Sequence, residues 1–311
     1  MKKLLLASIF FISIMLLAAC GSDDTSSSDD TSGNGGEEES ADDSSSEGES
    51  NLLTKLQEEG KVTIGFANEA PYGYQEDGEL KGAAVDIAQA VFAELGIDEM
   101  EAQLADFSQL IPGLNAGKFD VITAGMAINP DRCENADFGE PEMQYGEGLI
   151  VQKGNPMDLH SYSDIAETGA TVSIMAGATE HEYVKQMGVS DDQVQSASDI
   201  PGTFSAVASG RADATTGTEM TVKRALESSG NEKLEFVSDF EQPDIEGIPS
   251  YGAAAFHQDS DALREAYNEA LAKLKEDGTV KELLEANGFS GETNSVPSDI
   301  TTEGVCSGEQ Y

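Results

Sequence analysis

Residues 109–124 read QLIPGLNAGKFDVITA, and this stretch changes period halfway along. Its first half spaces apolar residues as a helix does and predicts a short amphipathic helix over 109–116, ended by Gly117. Its second half, FDVITA over 119–124, predicts a strand. A helix that feeds straight into an apolar strand is the building unit of layered α/β folds. Working outward, the same alternation recurs on both sides. KVTIGF (61–66) alternates like a strand, and 83–95 carries Val85, Ile87, Ala88, Val91, Phe92 and Leu95 at helical spacing before Gly96. On the other side Asn129-Pro130 opens a helix, with Asn as cap and Pro in the first turn. An apolar strand over 148–152 is then broken by Gly154-Asn155-Pro156.

The pattern restarts with TVSIM (171–175), followed by Ala176-Gly177-Ala178 and a helix near Thr179, where Thr179-x-x-Glu182 fits a capping box. Helix is predicted over 203–209, strand over 212–216, helix over 219–228 and strand over 250–256. A helical region over 261–287 is broken at Gly278 and closed by Gly288. Strands alternating with helices predict α/β layers around mostly parallel sheets. Two such runs, with a strand after the second, predict two lobes and two crossings between them. In open sheets of this kind ligands sit beyond the carboxyl ends of the strands, where helix N-termini present free N–H groups.

Composition narrows the partners. The 311 residues include 59 acids and 17 lysines and arginines, a net charge of −42. Such a surface repels phosphate backbones and anionic headgroups, so nucleic acid is excluded as a partner class. The 39% apolar residues still suffice for a sizeable core, although there is no Trp. The acidity outside the segment 21–50 suits salty surroundings and predicts a halophilic or halotolerant source.

The N-terminus predicts export. Met1-Lys2-Lys3 precedes an apolar run from Leu4 to Ala19, too short to span a bilayer comfortably, which reads as a signal peptide over 1–19; an uncleaved anchor helix is the alternative. Leu17-Ala18-Ala19-Cys20 resembles a bacterial lipobox, which implies lipid on the Cys20 thiol and a membrane-tethered protein on the outer face, periplasmic or extracellular. Residues 21–50 hold eleven acids and no base, and the acidic segment 20–50 is expected to be a disordered linker. With Cys20 consumed, Cys133 and Cys306 remain as a candidate disulfide or as two free thiols.

Several phrases in order resemble the extracellular solute-binding proteins of polar-amino-acid-type ABC importers. They are Gly78-Glu79-Leu80-Lys81-Gly82 with Val85-Asp86-Ile87-Ala88, and 110–120. They continue with Asn129-Pro130-Asp131-Arg132 and Ala136-Asp137-Phe138, then Ser209-Gly210-Arg211-Ala212-Asp213-Ala214, and Leu274-Lys275-Glu276-Asp277-Gly278-Thr279. The resemblance covers about 51–290. It implies a two-lobed periplasmic-binding-protein fold of type II, each lobe a mostly parallel sheet flanked by helices, with two crossover strands as hinge. Lobe I is expected over 51–152 and 249–311 and lobe II over 153–248. Within the family the phrases 66–74 (FANEAPYGY) and 125–134 (GMAINPDRCE) are similar to the ectoine/hydroxyectoine-binding component. That subfamily tends to carry cysteines after the arginine and near the C-terminus, which supports pairing Cys133 with Cys306.

The resemblance implies a ligand set of Glu69, Tyr72, Phe107, Gly125, Arg132, Ala178, Thr179 and Thr218. Arg132, in a first helical turn, offers two parallel donors to a carboxylate; its other reading is a surface arginine paired with Asp131 or Glu134. Glu69 beside Tyr72 suits a delocalised cation, one by Coulomb attraction and the other by its π face, with Phe107 as a second ring. Core packing for the rings and a solvated loop acid for Glu69 are the alternatives. Ala127 stands where the subfamily places a third aromatic, for which Tyr74 or Tyr145 are possible substitutes. Thr179 is expected to meet the ligand from the second lobe or to cap its helix. Thr218 occupies the slot where amino-acid binders commonly place an Asp for the α-ammonium, which favours a ring amidinium over an α-amino acid, unless Glu219 takes the role.

The expected function is a lipid-anchored substrate-binding component that captures a small zwitterionic compatible solute for osmoprotection. It would act as a monomer, by hinge closure, and deliver the solute to ABC permease subunits. A polar amino acid such as glutamine or arginine is the alternative. None of His160, His181 and His257 forms a zinc-type motif, and neither a nucleophile elbow nor a phosphate loop is present, so no metal, no cofactor and no enzyme are expected. A dehydratase-type enzyme and a sensory module on this fold are the minor alternatives. His181 with Glu180 and Glu182 reads as an exposed first-turn cluster.

Overall fold

The computed structural model describes residues 46–310. The expected signal segment 1–19, the expected acylation site Cys20 and most of the acidic segment 20–50 lie outside the described residues. Residues 46–50 do not continue the expected disordered linker but open helix α1 (Ser46–Glu59). Further along, Leu52, Leu53 and Leu56 pack onto the first core.

The chain continues through β1 (Lys61–Phe66), the hairpin β2 (Tyr74–Glu76) and β3 (Glu79–Lys81), α2 (Ala83–Glu94), β4 (Glu99–Leu104), α3 (Leu110–Asn115), β5 (Val121–Ala127), α4 (Pro130–Cys133), β6 (Asp137–Phe138) and β7 (Met143–Tyr145). A second series comprises β8 (Glu147–Gln152), α5 (Tyr162–Thr168), β9 (Val172–Met175), α6 (Glu180–Gln186), β10 (Val194–Ala197), α7 (Ile200–Ala208), β11 (Ala214–Thr218), α8 (Glu219–Ser229) and β12 (Leu234–Phe236). The chain then returns through β13 (Ser250–Phe256), α9 (Asp261–Glu276), α10 (Thr279–Ala286) and α11 (Thr302–Cys306).

Two sheets result. The first has the order β4-β1-β5-β13-β6, with β7 also on β13, and the second the order β10-β9-β11-β8-β12. In the first sheet β1 is parallel to β4 and β5, while β13 runs antiparallel to its neighbours. In the second, β9 is parallel to β10 and β11, while β8 runs antiparallel to β11 and β12. Each sheet is therefore mostly parallel with one reversed strand, and the reversed strands β8 and β13 are those entered by crossing from the other lobe. This is the type II two-lobed α/β architecture expected from the sequence.

The crossings differ from expectation at one end. Residues 148–152 were assigned to the first lobe, but β8 pairs along its length with β11, from Glu147 opposite Thr218 to Val151 opposite Ala214. The outward crossing thus falls at Gly146, between β7 and β8, and the return crossing falls just before Ser250. A linear reading sees one apolar strand there and cannot see which sheet it joins. Strand β4 was not anticipated either: EMEAQL is an edge strand with mostly exposed side chains, so it lacks the alternation that marks a half-buried strand.

Three apolar clusters hold these layers. Val62, Ile64, Ile87, Val91 and Phe92 pack with Leu263, Tyr267 and Leu271, seating α2 and α9 on one face of the first sheet. Leu110, Leu114, Phe119 and Ile122 cover the opposite face with α3. Leu149, Tyr162, Val172, Ile174 and Val184 form the core of the second lobe. Cys133 and Cys306 are disulfide-bonded, S–S 2.00 Å, which ties α11 to α4 directly beside Arg132.

Candidate functional site

The carboxyl ends of β1, β4, β5, β9 and β11 converge where the lobes face one another. Glu69 and Tyr72 follow β1, Phe107 follows β4, Gly125 lies in β5, Arg132 in α4, Ala178 and Thr179 follow β9, and Thr218 ends β11. All eight line one cavity of about 30 Å³. That space holds roughly one water molecule, so a solute enters only if the lobes part.

Local sequence explains each placement. Asn129 caps α4, its Oδ1 accepting the Arg132 N–H at 2.8 Å, with Pro130 in the first turn as its fixed φ favours. The cap fixes Arg132 so that Nη1 donates to Ala127 O at 2.8 Å and Nη2 donates across the cleft to Gly177 O at 2.9 Å. The guanidinium carbon lies 5.4 Å from the centre of the Phe107 ring. Burial lowers the Arg132 pKa, and Tyr145, Tyr183, Glu180 and Glu69 oppose that shift. Its guanidinium therefore faces the cleft rather than forming the surface ion pairs with Asp131 or Glu134 that were the alternative.

Gly125 and Gly177 are held by close approach. Gly125 has φ 59°, and a Cβ there would drive into the Tyr72 ring. Gly177 has φ 84°, and its Cβ would lie 2.9 Å from Ser108 Cα in the facing lobe. Tyr72 is packed edge-on against Tyr145 and Phe289, both at 5.3 Å between ring centres. Tyr145 lines the cavity beside Ala127 and donates to Gly125 O at 2.6 Å, whereas Tyr74 stands apart in β2.

A hydrogen-bond chain crosses the cleft twice. The Tyr72 hydroxyl donates to Thr218 Oγ1 at 3.1 Å, Thr218 donates to Thr221 Oγ1 at 3.0 Å, and Thr221 donates to Glu69 Oε1 at 2.8 Å. Glu69 is buried and its pKa is pushed up to about 7, chiefly by burial; Glu180 raises it further, and the Thr221 bond and Arg132 pull it down. Helix α6 starts at Glu180 with Thr179 at the N-cap position, as expected, but Thr179 is already in the helical region and makes no side-chain cap, so the expected capping box does not form.

Two acids were missed. Glu180 was read as part of an exposed cluster, but it is 4% exposed and lines the cavity, whereas its neighbour Glu182 is exposed. Glu147, 1% exposed, raises its pKa well above the carboxylate range through burial and the adjacent Glu180 carboxyl. Its Oε2 accepts from Tyr162 at 3.3 Å, and Oε1 has no donor. Glu219, the suggested substitute acid, instead pairs with Lys223 on its own helix. Helical spacing does place Glu180 beside Tyr183 and Val184, both buried, which was the available signal; Glu147 becomes readable only once the β8–β11 register is known.

The cleft thus offers a guanidinium at one side and acids and rings at the other. This arrangement suits a small molecule with a carboxylate and a positive end. The model of the bacterial extracellular solute-binding proteins, family 3, matches residues 62–288. A probable amino-acid ABC transporter periplasmic-binding protein, y4tE of Sinorhizobium fredii, is 38% identical over 260 residues, covering 82% of this chain and 86% of that protein. A crystal structure of EhuB in complex with hydroxyectoine superposes with a TM-score of 0.75 at 32% identity, covering 83% of this chain and 98% of that one. An ancestral arginine-binding protein bound to arginine gives 0.65 at 28% identity, with 74% and 98% covered.

Proposed function

From the premise that this chain belongs to family 3 of the bacterial extracellular solute-binding proteins, we propose that its cleft captures ectoine or hydroxyectoine. The coarser role follows from the family itself: the chain is the solute-binding component of an amino-acid-type ABC importer, working with permease subunits, and not an enzyme. The observation that carries the finer reading is the opposition of Arg132 to Glu69 across one cavity walled by Tyr72, Tyr145 and Phe107. A carboxylate on Arg132 would replace the two carbonyl acceptors that the guanidinium now holds, with bidentate geometry. A flat ring cation would then lie toward the aromatic walls and Glu69. The similarity to the EhuB–hydroxyectoine complex supports the same ligand class.

Capture proceeds by hinge closure about the crossings at Gly146 and just before Ser250, with the Tyr72–Thr218 bond latching the closed lobes. The Leu17-Ala18-Ala19-Cys20 sequence supports anchoring through lipid on Cys20; Cys20→Ser should release the protein from the membrane fraction, and retention there would reject the anchor.

A polar amino acid is the second reading, favoured by one observation. Glu147 and Glu180 place buried carboxyls beside Thr218, so the absence of an acid at that position no longer argues against a primary ammonium. Calorimetric titration of the purified protein with ectoine, hydroxyectoine, glutamine and arginine separates the readings. Ectoine or hydroxyectoine is expected to bind most tightly; arginine or glutamine binding without either would reject the ectoine reading and leave the importer role intact.

A further inference from the structure

The chain that follows α10 lines no part of the cavity, yet it is attached behind residues that do. Asn287 Nδ2 donates to Asp86 Oδ2 at 2.7 Å and fixes the start of this segment to α2. Phe289, 4% exposed, then sets its ring edge-on to Tyr72, 5.3 Å between ring centres. Asn294 takes up both backbone groups of Gln144. Its backbone O accepts the Gln144 N–H at 2.9 Å, and its Nδ2 donates to Gln144 O at 2.8 Å. Gln144 Nε2 in turn donates to Thr293 O at 2.9 Å. Gln144 immediately precedes the cavity residue Tyr145 in β7. Further on, Thr302 Oγ1 donates to Gly139 O at 2.6 Å, and Val305 joins the buried cluster that contains Ile128, Ala136 and Phe138. Cys306 is bonded to Cys133, the residue after Arg132.

The elements braced in this way have little of their own to hold them. Strand β7 has three residues and pairs with β13, and α4 is a single turn with no buried residue. A strand or helix of that length is marginal by itself. A bidentate grip on a carboxylate and a ring laid against a cation, however, need their groups held to within about 0.5 Å. We propose that residues 289–306 form a positioning element of the binding site, attached through Phe289 behind Tyr72, through Asn294 behind Tyr145 and through Cys306 behind Arg132. Cys306 serves the carboxylate end of the cleft by fixing α4, while Phe289 and Asn294 serve its aromatic wall. The inference rests on the reading of the cleft as a zwitterion site with Arg132 on the carboxylate. It adds that affinity and end-group selectivity are set in part by residues the solute never touches.

The test is calorimetry of the full chain with two solute pairs, ectoine with its carboxamide and arginine with argininamide. The proteins are wild type, Phe289→Leu and the double variant Cys133→Ser with Cys306→Ser. Each is titrated well below its melting midpoint, where a loss of stability alone leaves the affinity unchanged. Wild type is expected to prefer the carboxylate of whichever pair it binds by about tenfold or more. The double variant is expected to lose most of that preference, about fivefold or more, because α4 is released from α11. Phe289→Leu is expected to keep the preference while binding both members about three- to tenfold more weakly. An unchanged preference in the folded double variant, or an unchanged affinity in Phe289→Leu, would overturn the positioning role and leave the zwitterion reading in place. Should the double variant fail to fold, Phe289→Leu decides alone. Wild type that binds carboxylate and carboxamide equally would remove the Arg132 reading, and the positioning role with it.

Discussion

Thr218 and Glu147 stand directly opposite one another across the β11–β8 ladder, an uncharged residue at the cavity wall backed by a buried acid. The relationship places a buried carboxyl behind the second-lobe wall of the cleft, where Thr218 itself carries none. Together with Glu69 and Glu180 it makes one side of the cleft acidic, opposite the Arg132 guanidinium, which fixes the orientation that a zwitterion must adopt.

The buried acids predict an unusual pH profile for the unliganded protein. Glu69 and Glu142 both titrate near 7 in the fold, against an ordinary value of 4.5, and Glu147 is raised as well. The folded state therefore binds protons more tightly than the unfolded chain, so stability falls as pH rises through the window from about 4.5 to about 7. Glu69 and Glu142 should each withdraw about 3 kcal/mol across that window. Thermal melting followed from about pH 5 to about pH 8 should show a declining midpoint; a rising midpoint would contradict the burial of these acids.

Tyr72→Phe keeps the ring stack with Tyr145 and Phe289 but removes the hydroxyl that reaches Thr218. The closed form should lose about 0.5–1.5 kcal/mol, seen as a ligand affinity up to about tenfold weaker. Because the lost bond exists only when the lobes meet, the melting midpoint of the free protein should move less than the affinity does. Unchanged affinity would show that the Tyr72–Thr218 bond plays no part in latching.

Gly125→Ala adds a methyl at positive φ directly against the Tyr72 ring. A destabilisation of about 2–4 kcal/mol is expected from backbone strain and overpacking together. Chemical denaturation measures it, and a change below about 0.5 kcal/mol would mean that the ring moves aside freely.

How much of this was legible in the sequence depended on whether a feature is local. Asn129-Pro130 announced the helix that carries Arg132, and the cap formed as read because a helix start is set by adjacent residues. The carboxyl-end loops after β1 and β9 were placed by alternation alone, and their residues meet at the cavity. Sheet membership is not local: β8 looked like the end of the first lobe because an apolar strand carries no mark of its partners. Glu180 was hidden by its neighbours, since His181 and Glu182 made a polar run whose buried member only packing reveals. Thr179 met the pattern of a capping box, yet the turn from Gly177 set it in helical geometry and freed it for the cavity wall.

The central claim is that Arg132 grips the carboxylate of a zwitterion, and the most direct measurement is isothermal titration of ectoine into wild type and Arg132→Ala, with melting curves to establish that the variant folds. The account predicts clear binding to wild type and a loss of about a hundredfold or more on removing the guanidinium, in line with breaking a charge-assisted bidentate pair in a water-poor cleft. Equal affinity of the folded variant and wild type would contradict it.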